Sequence, residues 1–342
     1  MITVDDARAK AAKWVAANLA GRPGFRGALL HGSVCHLGID ARLPAESDVD
    51  VVSLWDGPPP LLGKTRFDEL VLDVCGVAAD TVSDPERVLA NHVFAPSFAR
   101  GLLVVETDAM LPAVAAAVAE RFADPRWIRA RVEDTLSGSA RILGHFAADP
   151  CGTDAEAGLL FGPGVLVHAI LVAACRNPTV RRRYEAAGEL LAELGMADEH
   201  EKLLDLLGSR GLSREACESH FAAMRAAYDE AIEVPDAPKR YANHVSAEGR
   251  KSAIDGTARS FAEGRHREAM FFVGTCFSKA LAILGPVTSP ERLAEHSTRF
   301  GAFLADVGIA AAEERVRRVD AARRAIPWIR ELAERIMIRT RP

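Results

Sequence analysis

Apolar positions follow two rhythms along the first 125 residues of the chain. Thr3-Val4-Asp5-Asp6 forms a capping-box-like start and Ala7 to Leu19 has helical spacing, which predicts a helix over 5–20. The short apolar run Ala28-Leu29-Leu30-His31 predicts a strand that ends at Gly32-Ser33. Asp48 to Leu54 reads as a second strand, since Val49, Val51 and Val52 favour extended backbone and Asp56-Gly57-Pro58-Pro59-Pro60 stops it. A strand from Glu69 to Val77, a helix opened by Ser83-Asp84-Pro85, a strand over Leu102 to Glu106 and a helix over Leu111 to Phe122 complete a small mixed segment.

The pattern changes at Asp124-Pro125. Short Val/Ile-rich runs give way to long Ala/Leu/Arg/Glu segments with helical spacing, which predict helices near 126–148, 164–176, 179–195, 197–208, 213–232, 246–263, 266–284, 290–305 and 309–338. The expected fold class is therefore an α/β mixed-sheet domain over 1–124 followed by an all-α domain over 125–342. A length of 342 residues agrees with two domains, because single hydrophobic cores stop growing at about 250–300 residues.

Composition narrows the classes. Gly158 to Cys175 carries no charge and is near the minimum length of a membrane span, but Gly162-Pro163-Gly164 and His168 interrupt it, so a short loop and a buried helix from Pro163 are expected, and no membrane partner. The six cysteines are scattered, with neither a disulfide framework nor zinc-ligand spacing, which suits reduced thiols and a cytoplasmic location. A net charge of -5 argues against nonspecific nucleic-acid binding. The segment Arg315 to Arg341 holds nine arginines against three acids and reads as the wet side of a long helix bent at Pro327.

The chemistry concentrates in His31-Gly32-Ser33, then Ser47-Asp48-Val49-Asp50-Val51, then Val71-Leu72-Asp73-Val74. Side chains alternate along a strand, so Asp48 and Asp50 share one face while Val49 and Val51 pack on the other. Two carboxylates so close repel unless a cation lies between them, and hard oxygen ligands suit magnesium, which also binds substrate phosphates. With Asp73 opposite, three carboxylates can hold two ions about 4 Å apart, the arrangement for in-line displacement at phosphorus. Gly32 lets backbone approach a phosphate, and successive N–H groups with the Ser33 hydroxyl donate to it.

Together these residues resemble the signature of the DNA polymerase β-like nucleotidyltransferase superfamily: a Gly-Ser turn, Asp-x-Asp on one strand and a third Asp on the next. The two-domain layout looks like the kanamycin nucleotidyltransferase type, and Pro178-Thr179-Val180-Arg181-Arg182-Arg183-Tyr184 is similar to helical-domain sequences of actinobacterial relatives. A departure is the spacer between Ser33 and Asp48, positions 34–47, slightly longer than the usual pattern.

The resemblance implies a catalytic domain followed by a helical substrate-binding domain. It also implies transfer of a nucleoside monophosphate from a nucleoside triphosphate, ATP being the expected one, to a hydroxyl of a small-molecule acceptor such as an aminoglycoside-like antibiotic or a biosynthetic intermediate. Asp48, Asp50 and Asp73 would bind two Mg2+ ions, and Gly32, Ser33 and Ser47 would hold the triphosphate. Lys279, an isolated cation in the apolar helix Phe271 to Leu284, is a further candidate for the triphosphate, with the snorkelling of a structural lysine as its ordinary alternative. A general base from the helical domain is implied, with Glu133 or Asp134 the positions to test. His36, His168 and His266 lack ligand spacing and are expected to be structural. Competing functions are nucleotidylation of a protein or an RNA end, and a non-catalytic nucleotide-binding sensor; a homodimer that completes the cleft is left open.

Overall fold

The computed structural model describes residues 2–100, 102–107, 109–149, 151, 154–235 and 244–340. Arg341 lies outside the described residues. The chain forms two compact units, Met1–Asp134 with Val172–Thr179, and Thr135–Leu171 with Val180–Pro342.

The first unit is mixed α/β. Helix α1 (Val4–Asn18) opens with the capping box: the Asp6 N–H donates to Thr3 Oγ1 and the Thr3 N–H donates to Asp6 Oδ2, each at 3.1 Å. Strands β1 (Phe25–His31), β2 (Val49–Trp55), β3 (Gly63–Phe67), β4 (Leu70–Ala78) and β5 (Leu103–Glu106) form a sheet of order β3-β4-β2-β1-β5. β2 and β4 run parallel, and the other neighbours are antiparallel.

Alternation along the strands decides the layers. Ala28, Leu30, Val49, Val51, Leu70, Leu72 and Val74 pack with Val4, Ala7, Ala11 and Val15 of α1 on one face. On the other, Leu29, Val52 and Leu54 pack with α2 (Pro85–Ala90), α3 (Ala95–Ala99) and α4 (Met110–Arg121) through Val88, Leu89, Phe98, Leu111 and Val118. Each full burial of such an aliphatic side chain is worth about 1.5–3 kcal/mol. The sequence pattern does not predict β3. Its residues Lys64, Thr65 and Arg66 give no apolar alternation, because an edge strand needs to cover the core only lightly.

The second unit is built of helices, with no strand among its described residues. It includes the end of α5 (Pro125–Ala148), then α6 (Ala155–Ala173), α7 (Arg183–Glu193), α8 (Ala197–Leu207) and α9 (Arg214–Ala231). Ala247–Arg250 and Gly256–Ala262 follow, joined by a π-helical turn, and then His266–Leu284, Pro290–Asp306 and Ala312–Arg339. Helix α6 starts at Ala155, ahead of the expected Pro163, and passes through that proline. Gly158 and Gly162 let Phe146 and Leu143 pack on its backbone, and Ser139 Oγ donates to the Gly162 carbonyl at 2.7 Å, so tertiary packing holds the helix on course past the proline. By length and composition α6 alone among the described helices passes for a membrane span, and most of it is buried inside the protein.

Ala312–Arg339 likewise continues through Pro327, whose exposed position leaves the carbonyl one turn earlier to water. Arg317, Arg323, Arg324 and Arg330 are on its wet side, whereas Arg315 is buried and pairs with Glu156 at 2.8 Å.

Candidate active site

Sheet register builds the site. The antiparallel β1–β2 pair sets His31 opposite Asp50, the parallel β2–β4 pair sets Asp50 beside Asp73, and the antiparallel β3–β4 pair sets Asp73 opposite Lys64. Residues paired across strands point to the same face, so these four side chains make one polar row over four strands. Neighbouring strands are about 4.8 Å apart, which fixes the spacing of the Asp50 and Asp73 carboxylates. The row continues the apolar face of Leu29, Val52 and Leu54.

Asp48 precedes β2 by one residue and Asp50 by two, and Lys64 ties it into the row. Lys64 Nζ donates to Asp48 Oδ2, and to Asp73 Oδ2 at 2.7 Å. Burial disfavours the Lys64 ammonium, but Asp48 and Asp73 more than offset it and hold its pKa above the ordinary value. Asp50 is in the opposite situation. Burial, then the charges of Asp48 and Asp73, push its carboxyl well above the carboxylate range, and Lys64 offsets this only in part.

Gly32 closes over Asp50. Its φ of +68° favours glycine, and a Cβ there would collide with the Asp50 carboxylate. It opens the short turn Gly32–His36, which carries the half-buried Ser33. Ser47 is half-buried, and its backbone N–H donates to the Pro44 carbonyl at 3.0 Å. His31 Nδ1 is 2.8 Å from Ser97 Oγ, and burial followed by the neighbouring His92 pushes its pKa down to about 4. Its imidazole is therefore neutral at pH 7.

The remaining expected residues lie outside the row. Glu133 is exposed on α5, within the first unit; adjacent Asp134 accepts from the His92 N–H at 3.1 Å and lies 2.7 Å from His92 Nδ1. Lys279 is in the second unit on His266–Leu284, half-buried, with Nζ 5.8 Å from the centre of the Phe161 ring and its pKa lowered by burial.

Lys64 and the placement of His31 escaped the sequence reading, although a signal existed. Phe67 and Leu70 pair across the two-residue turn Asp68-Glu69, where Asp68 has φ +51°. Once that hairpin is recognised, stepping outward from the turn pairs Lys64 with Asp73.

No three side chains of ligating type already converge on one point among the described residues. The row nevertheless fits a hard divalent cation: it offers three carboxylates against one ammonium, and burial followed by the charges of Asp48 and Asp73 raises the pKa of Asp50. In comparisons with family models, curated proteins and solved structures, no match to this chain was found.

Proposed function

We propose that the protein is a magnesium-dependent nucleotidyltransferase that moves a nucleoside monophosphate from a triphosphate, ATP as the expected donor, to a hydroxyl of a small molecule. The observation that supports this best is the row Asp50–Asp73–Lys64 with Asp48 joined to it, three acids and one ammonium on one face of the sheet beneath a glycine turn. Asp48, Asp50 and Asp73 are the residues that would hold magnesium. When bound, the metal supplies charge neutralisation at the phosphate oxygens and a lowered pKa for the attacking hydroxyl.

The chain's own groups do the rest. The Gly32-Ser33 turn, with Ser47 next to Asp48 in sequence, orients the triphosphate by N–H and hydroxyl donors. Lys64 holds Asp48 and Asp73 in place and adds positive charge beside the phosphates. The acceptor oxygen bonds to the α-phosphorus as the bond to pyrophosphate breaks, and Glu133 is the carboxylate proposed to take the hydroxyl proton. Neutral His31, bonded to Ser97, packs beside Asp50 and fixes that end of the row. The formal charge of -5 favours a cationic acceptor.

The test incubates the protein with magnesium and each of the four triphosphates against a panel of hydroxylated acceptors and follows pyrophosphate. Acceptor-dependent release is expected, and release that survives Asp48→Ala with Asp50→Ala would falsify the reading.

A further inference from the structure

Two fully buried arginines differ in one respect. Arg131, 1% exposed, lies over Phe122 and gives Nη1 to the Leu89 carbonyl at 3.0 Å and Nη2 to the Phe122 carbonyl at 2.7 Å. Arg183, the first residue of α7 and also 1% exposed, lies 4.1 Å from the centre of the Phe271 ring and 5.3 Å from that of Phe161. Its Nε donates to the Val180 carbonyl at 2.9 Å, but its buried Nη1 has no hydrogen-bond partner. No carboxylate among the described residues pairs with it, and burial pushes its pKa down to about 9, which still leaves it charged at neutral pH.

A second cation shares the same ring. Lys279 Nζ stands 5.8 Å from the centre of Phe161, also without a carboxylate partner among the described residues, and burial lowers its pKa. Several other cations of this unit have partners: Arg315 pairs with Glu156, Arg335 and Lys202 with Glu199, each within 2.9 Å, and the half-buried Arg318 donates to the Leu206 and Val307 carbonyls. Aromatic faces attract cations, but by less than the burial of an unpaired charge costs. The Arg183 Nη1 and the Phe271 ring pack against the backbone of Gly164, where a Cβ would approach them to 3.0 and 2.9 Å. Phe161 and Lys279, unlike Arg183, are half-buried.

We propose that this neighbourhood of the helical unit binds a phosphate-type oxyanion, held by Arg183 Nη1 and Lys279. A planar guanidinium and a mobile ammonium at the same ring suit phosphate oxygens, and the anion would satisfy the buried donor. The site stands on the helical unit alone and does not rest on the nucleotidyl-transfer reading.

The test uses the full-length protein in chloride buffer with EDTA, and reads both calorimetric binding and the thermal midpoint on adding inorganic phosphate, pyrophosphate or acetate. Phosphate or pyrophosphate is expected to bind and raise the midpoint saturably, with acetate inert. Arg183→Met should abolish that response while leaving the anion-free midpoint at or above that of the parent, since a buried unpaired charge is gone. Lys279→Met, at a half-buried position, should weaken phosphate binding by about tenfold, one lost charge-assisted contact. Asp50→Asn should retain the response, which separates this site from the sheet row. Phosphate responses that are unchanged in both Arg183→Met and Lys279→Met, acetate binding as strongly as phosphate, or no response to any of the anions would each overturn the proposal; if Arg183→Met fails to fold, Lys279→Met alone decides.

Discussion

The polar row of the sheet and the neighbourhood of Arg183 carry opposite imbalances of charge. In the row, Asp48, Asp50 and Asp73 face a single ammonium, and the surplus is negative. Around Phe161, Arg183 and Lys279 pair with no acid among the described residues, and the surplus is positive. The two regions also differ in how they are built. Backbone register imposes the first, since four strands place their residues side by side, whereas the second arises from side chains packed between helices. Folding tolerates both at a cost, and each imbalance names the charge of the ligand that would relieve it: a cation at the row, an anion at the arginine.

Asp50 is the position where the row breaks most completely. Asp50→Asn should lower pyrophosphate release at least about a thousandfold, the loss of several kcal/mol of charge stabilisation. The same change should stabilise the metal-free fold. The folded pKa of Asp50 is raised above its ordinary 3.8, so the stability it contributes is full below that value and is lost as pH rises through the folded value. The advantage of Asp50→Asn over the parent should therefore grow from about pH 4 upward, as read by chemical denaturation at a series of pH values.

Glu133→Gln tests the proton acceptor. Release should fall about a hundredfold with metal binding unchanged, and an unaltered rate would remove Glu133 from the mechanism. Gly32→Ala places a methyl against the Asp50 carboxylate at φ +68°, and denaturant unfolding should show a loss of roughly 2–3 kcal/mol. Lys64→Met removes the lone compensating charge at a partly solvated site and should cost about 1–2 kcal/mol in the metal-free protein. Millimolar magnesium should restore most of that loss, because the carboxylates then have another counter-ion.

Much of the architecture was readable because it rests on local periodicity. The strands at Ala28, Asp48 and Glu69 and almost every helix of the second unit appear within a few residues of their expected ranges. The Asp-x-Asp alternation likewise separated Asp50 from Val49 and Val51, which the fold packs against α1. Three things escaped. β3 lacks apolar alternation because it lies at the sheet edge; α6 keeps its course through Pro163 because Ser139, Phe146 and Leu143 support it from elsewhere in the chain. The partnerless Nη1 of Arg183 depends on which carbonyls fail to arrive, a tertiary fact that no spacing encodes.

The central claim is that the three aspartates form one cation site, and a titration of the metal-free protein with Mn2+, read by the electron paramagnetic resonance of the free ion, tests it most directly. The parent should take up Mn2+ in competition with Mg2+, and Asp50→Asn and Asp73→Asn should each lose that uptake while remaining folded. Equal Mn2+ uptake by the parent and by both variants would contradict the account.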